Sequence, residues 1–241
     1  MEKDKILNTG KKAVVGSIWL SISQYVNFVV NFGGGIVLAR LLMPEHFGIV
    51  ALALSIITIV YMFAGWGFKI AIIKENENLN KVAGTLFTIL LIMNGCLLGI
   101  IFLMTLWLKR VYNSEVIIAL FILAPANFLR LISLVHAALI EKYMQFKKVA
   151  LIMMTSAIIS TTMGIILAVI NFGVWSLIWK EVIFAVIIAC GNFLLCPSKV
   201  KIIFDKEIAK SFLKFGKDIF YNNIFESGLT KIDKVVVGSF L

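Results

Sequence analysis

Long runs of apolar residues alternate along this chain with short charged stretches. The runs cover roughly residues 13–39, 47–68, 82–107, 116–140, 149–170 and 174–195, and another begins at 218. A helix rising 1.5 Å per residue needs about 20 apolar residues to cross the hydrocarbon layer of a bilayer, and each of the first six runs is long enough. The pattern predicts an all-α, polytopic membrane helix bundle of six transmembrane helices, plus the beginning of a seventh.

Composition agrees with that reading. Hydrophobic residues make up 61% of the 241 positions and charged residues 15%, against nearly half and about a quarter in soluble domains. Such a chain has too little polar surface to cover itself in water, and its connections are too short to hold a sizeable soluble domain. Cys96, Cys190 and Cys196 have no metal-type spacing and read as packing residues.

The net charge of +10 suggests nucleic acid only until its positions are read. One set of connections carries Lys3, Lys5, Lys11 and Lys12, then Lys69, Lys74 and Lys81, then Lys142, Lys147 and Lys148. Its last member carries Lys199, Lys201, Lys206, Lys210, Lys214 and Lys217. The opposite set holds only Arg40, Lys109 and Arg110. The positive-inside rule then puts the N-terminus in the cytoplasm. The first apolar run is too long for a signal-peptide core and lacks a small-residue cleavage site, so it is expected to remain as the first span.

The longest polar connection, from Pro197 to Lys217, reads as a cytoplasmic amphipathic helix with Ile203, Phe204, Ile208, Phe212 and Phe215 beside six lysines. A shift of 199 positions sets Ile36–Leu42 against Val235–Leu241, and also Gln24 against Asn223, Asn27 against Glu226 and Asn31 against Thr230. Six spans separate the two copies, as in a parallel repeat of two transporter halves. The organisation expected is a six-helix lobe at 1–195, a linker at 196–217 and the first helix of a second lobe at 218–241. On that reading the 241 residues are a fragment of a two-lobe protein.

Four segments carry a family resemblance: IVLARLLMPEHFGIVALALSIITIV at 36–60, AALIEKYMQFKKVAL at 137–151, NFGVWSLIW at 171–179, and FLKFGKDIFYNNIFESGLTKIDKVVVGSFL at 212–241. Their order resembles the bacterial polysaccharide exporters of the multidrug/oligosaccharidyl-lipid/polysaccharide flippase superfamily, closest to the capsule and teichuronic-type branch. The chain departs from that branch at Ala64-Gly65-Trp66-Gly67, where an acidic residue is common, and near 139–146, where lysine is the only cation. Locally, Pro44, Glu45 and Gly48 turn the chain and start the second span, with Gly48 permitting close packing.

The resemblance implies transport of a lipid-linked oligosaccharide from the inner to the outer leaflet of a bacterial plasma membrane. It implies alternating access and no covalent chemistry, so no enzyme, cofactor or metal is expected. Membrane lipids, polysaccharide-assembly proteins and a coupling H+ or Na+ are the partners it suggests. A sugar-phosphate headgroup calls for cations and hydrogen-bonding groups at mid-membrane depth. Arg130 meets that need in the fourth span, with Asn127 one turn away and His136 two turns further on. The competing readings are an arginine paired structurally inside the bundle and a histidine that simply packs.

Ser17, Ser21, Gln24, Asn27 and Asn31 recur at helical spacing on the first span, a face that lines the cavity or bonds to neighbouring helices. Gly33-Gly34-Gly35 beyond it allows close packing or a bend. The seventh helix offers Asn222 to the substrate and Glu226 and Asp233 to a coupling ion, the alternative being pairing with Lys231 or Lys234. Lys180 and Glu181 lie within snorkelling reach of the outer surface. Two rivals remain. A drug/cation antiporter would favour carboxylates in its first half, where only Glu181 is embedded. A membrane enzyme of polysaccharide assembly would need catalytic carboxylates, metal ligands or a large loop.

Overall fold

Helices dominate because in hydrocarbon every backbone N–H and C=O must be satisfied within its own segment. The computed structural model describes residues 2–61, 67–75, 78–110 and 112–212. Its helices are α1 (Glu2–Leu41), α2 (Pro44–Tyr61), α3 (Phe68–Lys74), α4 (Leu79–Leu108), α5 (Ser114–Ile132), α6 (Leu134–Lys142), α7 (Phe146–Val169) and α8 (Val174–Leu195). Six stretches are long and apolar enough to cross a membrane, and α5 and α6 together make one of them, Ser114–Lys142. The seventh span expected from residue 218, with Asn222, Glu226 and Asp233, lies outside the described residues.

Side-chain contacts sort the connections into two ends, in agreement with the charge alternation. At one end Lys69 of α3 pairs with Glu141 of α6 at 2.7 Å. Lys142 donates to the carbonyls of Ile73 and Glu75, closing the C-terminus of α3. Lys148 reaches the Leu195 carbonyl at 3.4 Å, and Ser198 donates to Asn80 at 3.3 Å. At the other end the turn before α8, with Asn171 and Gly173 at positive φ, brings Gly173 against the ring of His46 at the start of α2.

Two expectations about the connections need correction. The second span does not run unbroken to 68: α2 is described as far as Tyr61, and Gly67, in the left-handed region at φ 74°, precedes the separate helix α3. The apolar run hides this boundary because Phe68 and Ile72 are themselves buried, against α4 and α6 rather than lipid. The linker is also not one helix from Pro197. Residues 197–205 are non-helical and helix resumes only at 206–212, where Asp205 caps the new helix by accepting from the amides of Glu207 at 2.9 Å and Ile208 at 3.2 Å.

The non-helical part of the linker is held against α4. Thr88 directs its hydroxyl at the carbonyls of Gly84 (2.9 Å) and Ile203 (3.0 Å), and the Asp205 amide donates to Thr85 at 3.2 Å. Gly84 makes room for this approach, since a Cβ there would lie 2.6 Å from the Lys201 carbonyl oxygen. Phe212 then packs on Phe68 with tilted rings whose centroids lie 4.6 Å apart.

Lipid tails are as apolar as leucine, so helices in a membrane associate through close packing and hydrogen bonds rather than by escaping water. Helix α1 packs chiefly on α7, and α7 on α8. Gly34 meets the Thr161 side chain on the first seam and Gly191 meets Ile152 on the second, whereas Gly33, Gly35 and Gly48 have nothing close by among the described residues. Gly34 therefore packs, and Gly48 does not pack as its place in the Pro-Glu-x-Phe-Gly turn suggests. Cys96 and Cys190 likewise face outward rather than into the bundle.

Two main apolar cores result. One, built on Ile57, Ile101, Leu120, Leu123 and Ile178, fills the end of the bundle where α2 and α8 begin. The other, built on Ile72, Leu86, Leu90, Val135 and Leu139, fills the lysine-rich end. A polar layer carried by α5 and α8 lies beside them, and Met93 packs against both.

Candidate functional site

Helix α5 positions that layer. Pro125 inside it has no N–H to give the preceding turn. At Ser133 the helix gives way to α6. Arg130 sits between these two points, near the middle of the 29-residue span.

Ser133 and Asn192 secure the joint. The Ser133 hydroxyl donates to the Arg130 carbonyl at 2.7 Å and accepts from Asn192 Nδ2 at 3.1 Å. Ser133 is 0% and Asn192 4% exposed, so this bond between α5 and α8 is made where water cannot replace it. Replacing Asn192 with leucine is expected to cost about 0.6–1.7 kcal/mol, the range for hydrogen bonds between membrane helices. Ser133→Ala should cost a similar amount, and thermal unfolding in micelles should show the double variant losing less than the sum.

Arg130 borders two cavities. A narrow cleft of about 30 Å³ is lined by Leu54, Leu123, Ala126, Asn127, Arg130, Glu181 and Ala185. On its other side Arg130 borders a space of about 380 Å³ shared with Asn192, Glu141, Phe184 and Ile188, among others. Among the described residues no hydrogen bond or ion pair engages its guanidinium. Glu141, in the larger space, is already paired with Lys69. A larger cavity of about 470 Å³ lies at the lysine-rich end between α3, α4 and residues 207–212, away from the mid-membrane charges.

The structure thus brings Asn127 and Arg130 together and adds Glu181. His136 does not join them. It is 7% exposed, held edge-on between Phe87 (centroids 5.4 Å) and Phe193 (4.5 Å), and lines neither of the cavities beside Arg130. Gln24, Asn27 and Asn31 of α1 do not line them either. Asn31 donates to the Asn27 carbonyl at 2.9 Å and to its side-chain oxygen at 2.5 Å, directing its amide along the helix. Gln24 is exposed, while Ser23, outside the polar stripe, is the serine that turns inward. The Ser133–Asn192 link was not predicted: both residues are visible as polar positions in apolar runs, but nothing in their 59-residue separation pairs them.

Comparison with known proteins gives this arrangement a family. Residues 37–241 match the family described as polysaccharide biosynthesis protein. The succinoglycan biosynthesis transport protein ExoT of Rhizobium meliloti (strain 1021) is 27% identical over 201 residues, which cover 82% of this chain and 41% of that protein. A solved MOP superfamily transporter from Pyrococcus furiosus Vc1 (DSM3638) superposes with a TM-score of 0.59 at 19% identity, over 89% of this chain and 52% of that one. The chain therefore spans about half the length, or less, of these relatives. A multi-pass membrane bundle with the fold of a MOP superfamily transporter, it belongs to the polysaccharide biosynthesis protein family.

Proposed function

We propose that this chain forms the first lobe of a transporter that carries lipid-linked oligosaccharide from the cytoplasmic to the outer leaflet by alternating access. The observation that carries the reading is Arg130, a cation at mid-span that no described residue pairs, beside a space of about 380 Å³. An embedded charge without a partner is costly, and an anionic headgroup arriving there supplies the missing one. Asn127 adds hydrogen-bonding capacity one turn away. The lysine-rich end is the cytoplasmic one, residues 196–217 link the lobes, and 218–241 begin the second, where Asn222 faces substrate and Glu226 and Asp233 take a coupling H+ or Na+. The sequence supports these last assignments. The work is carriage across the bilayer, with no covalent step.

A fluorescent lipid-linked oligosaccharide in sealed vesicles provides the test. A full-length version containing this lobe should expose the label to a membrane-impermeant quencher on the opposite face, and a labelled cationic drug should not be moved. Drug movement against a proton gradient without lipid transfer would replace this reading with antiport.

A further inference from the structure

Glu181 of α8 and Arg130 of α5 line the same 30 Å³ cleft, yet no ion pair joins them in the structure. Their neighbours do not compensate them. Glu141 is bound to Lys69 at 2.7 Å. Lys180 follows its own helix face toward α7, its stem 3.1–3.5 Å from the position a Cβ on Gly164 would occupy. The cleft has room for about one water and none for a sugar ring, whereas the space on the other side of Arg130 is an order of magnitude larger. An arginine side chain is long enough to turn toward either.

We infer that Glu181 is the counter-charge that Arg130 faces across the narrow cleft: it competes for the guanidinium with an anionic phosphate headgroup arriving in the larger space. The inference rests on the reading of Arg130 as the group that receives the headgroup. Two opposite charges in a low-dielectric bundle attract strongly at short range, and either alone is costly. A ligand must therefore outcompete one carboxylate. A diphosphate offers several charged oxygens that match the arginine fork and can do so, while a neutral sugar or a monoanionic lipid cannot. Glu181 thus acts as a specificity-determining residue, weakening all anion binding so that only strongly charged headgroups are held.

Binding of farnesyl diphosphate to the full chain in nonionic detergent tests this, with oleate as the monoanionic comparison. Glu181→Gln, which removes the charge and keeps the volume, should tighten farnesyl diphosphate binding about tenfold and make oleate binding measurable. Glu181→Asp should stay near the parent affinity, and Arg130→Gln should weaken binding in both backgrounds. The sign separates this role from a structural one, because a loosened site would bind less tightly. Unchanged or weaker binding by Glu181→Gln, with Arg130→Gln still weakening it, overturns the counter-ion role alone. Unchanged binding by Arg130→Gln overturns both that role and the reading of Arg130 on which it rests.

Discussion

Arg130→Ala is expected to abolish export of surface polysaccharide in a full-length version while leaving the amount of membrane-inserted protein unchanged. The first half follows from the headgroup contact proposed for Arg130. A charged hydrogen bond contributes about 1.5–3 kcal/mol, and a bidentate arginine–phosphate contact makes two. Losing even about 3 kcal/mol lowers binding more than a hundredfold. The second half follows from the structure, where no described residue hydrogen bonds or ion pairs with the guanidinium, so its removal breaks no direct bond. Arg130→Lys keeps the charge and loses the fork, and an intermediate rate is expected. Vesicle flux per inserted transporter and the surface polymer should be measured on the same variants. Normal export by Arg130→Ala would remove this residue from the pathway.

Gly84→Ala should lower the thermal unfolding temperature in micelles by about 2–8 °C. Two effects oppose each other at this position. Alanine is worth about 1 kcal/mol over glycine inside a helix, but its Cβ would stand 2.6 Å from the Lys201 carbonyl oxygen and 3.2 Å from Ile203 Cβ. Backbone cannot rotate away as a side-chain tip can. Overpacking of this kind costs about 1–3 kcal/mol, and displacing the linker also breaks the bonds from Thr88 to Ile203 and from Asp205 to Thr85. The clash therefore outweighs propensity by about 1–2 kcal/mol, and a domain of this size loses about 2–4 °C per kcal/mol. Gly95→Ala, on the same helix with nothing within 4 Å, is the control and should be neutral or slightly stabilising. Equal behaviour of the two variants would show that residues 199–205 are not docked on α4 in solution.

The same residues divide what was legible in the chain from what was not. The six spans, their order and the two-ended sorting of lysines came from local properties: apolar run length measures whether a helix can cross, and charge marks which connections share an end. Arg130 and Asn127 stood out because a charge in a 25-residue apolar run is conspicuous and one turn of helix places the two together. The boundary at Gly67 was hidden because an apolar run looks alike whether it faces lipid or a neighbouring helix. The linker was misread because Lys201–Asp205 takes its conformation from Gly84, Thr85 and Thr88, which lie more than 100 residues earlier.

By itself the sequence determined that this protein is a bundle of membrane-spanning helices, which connections lie together, and that one arginine is embedded among them. These follow from the cost of placing peptide groups and charges in hydrocarbon, which each segment meets alone. Only the tertiary structure decided that Glu181 shares a cleft with Arg130, that Asn192 secures the joint at Ser133, and that His136 sits between two phenylalanine rings outside the cavities beside Arg130, whereas the bonds from Asn31 to Asn27 stay within α1. Apart from that last pair, these depend on which faces of distant helices meet. Between membrane helices that choice rests on close packing and a few hydrogen bonds, which no single segment encodes.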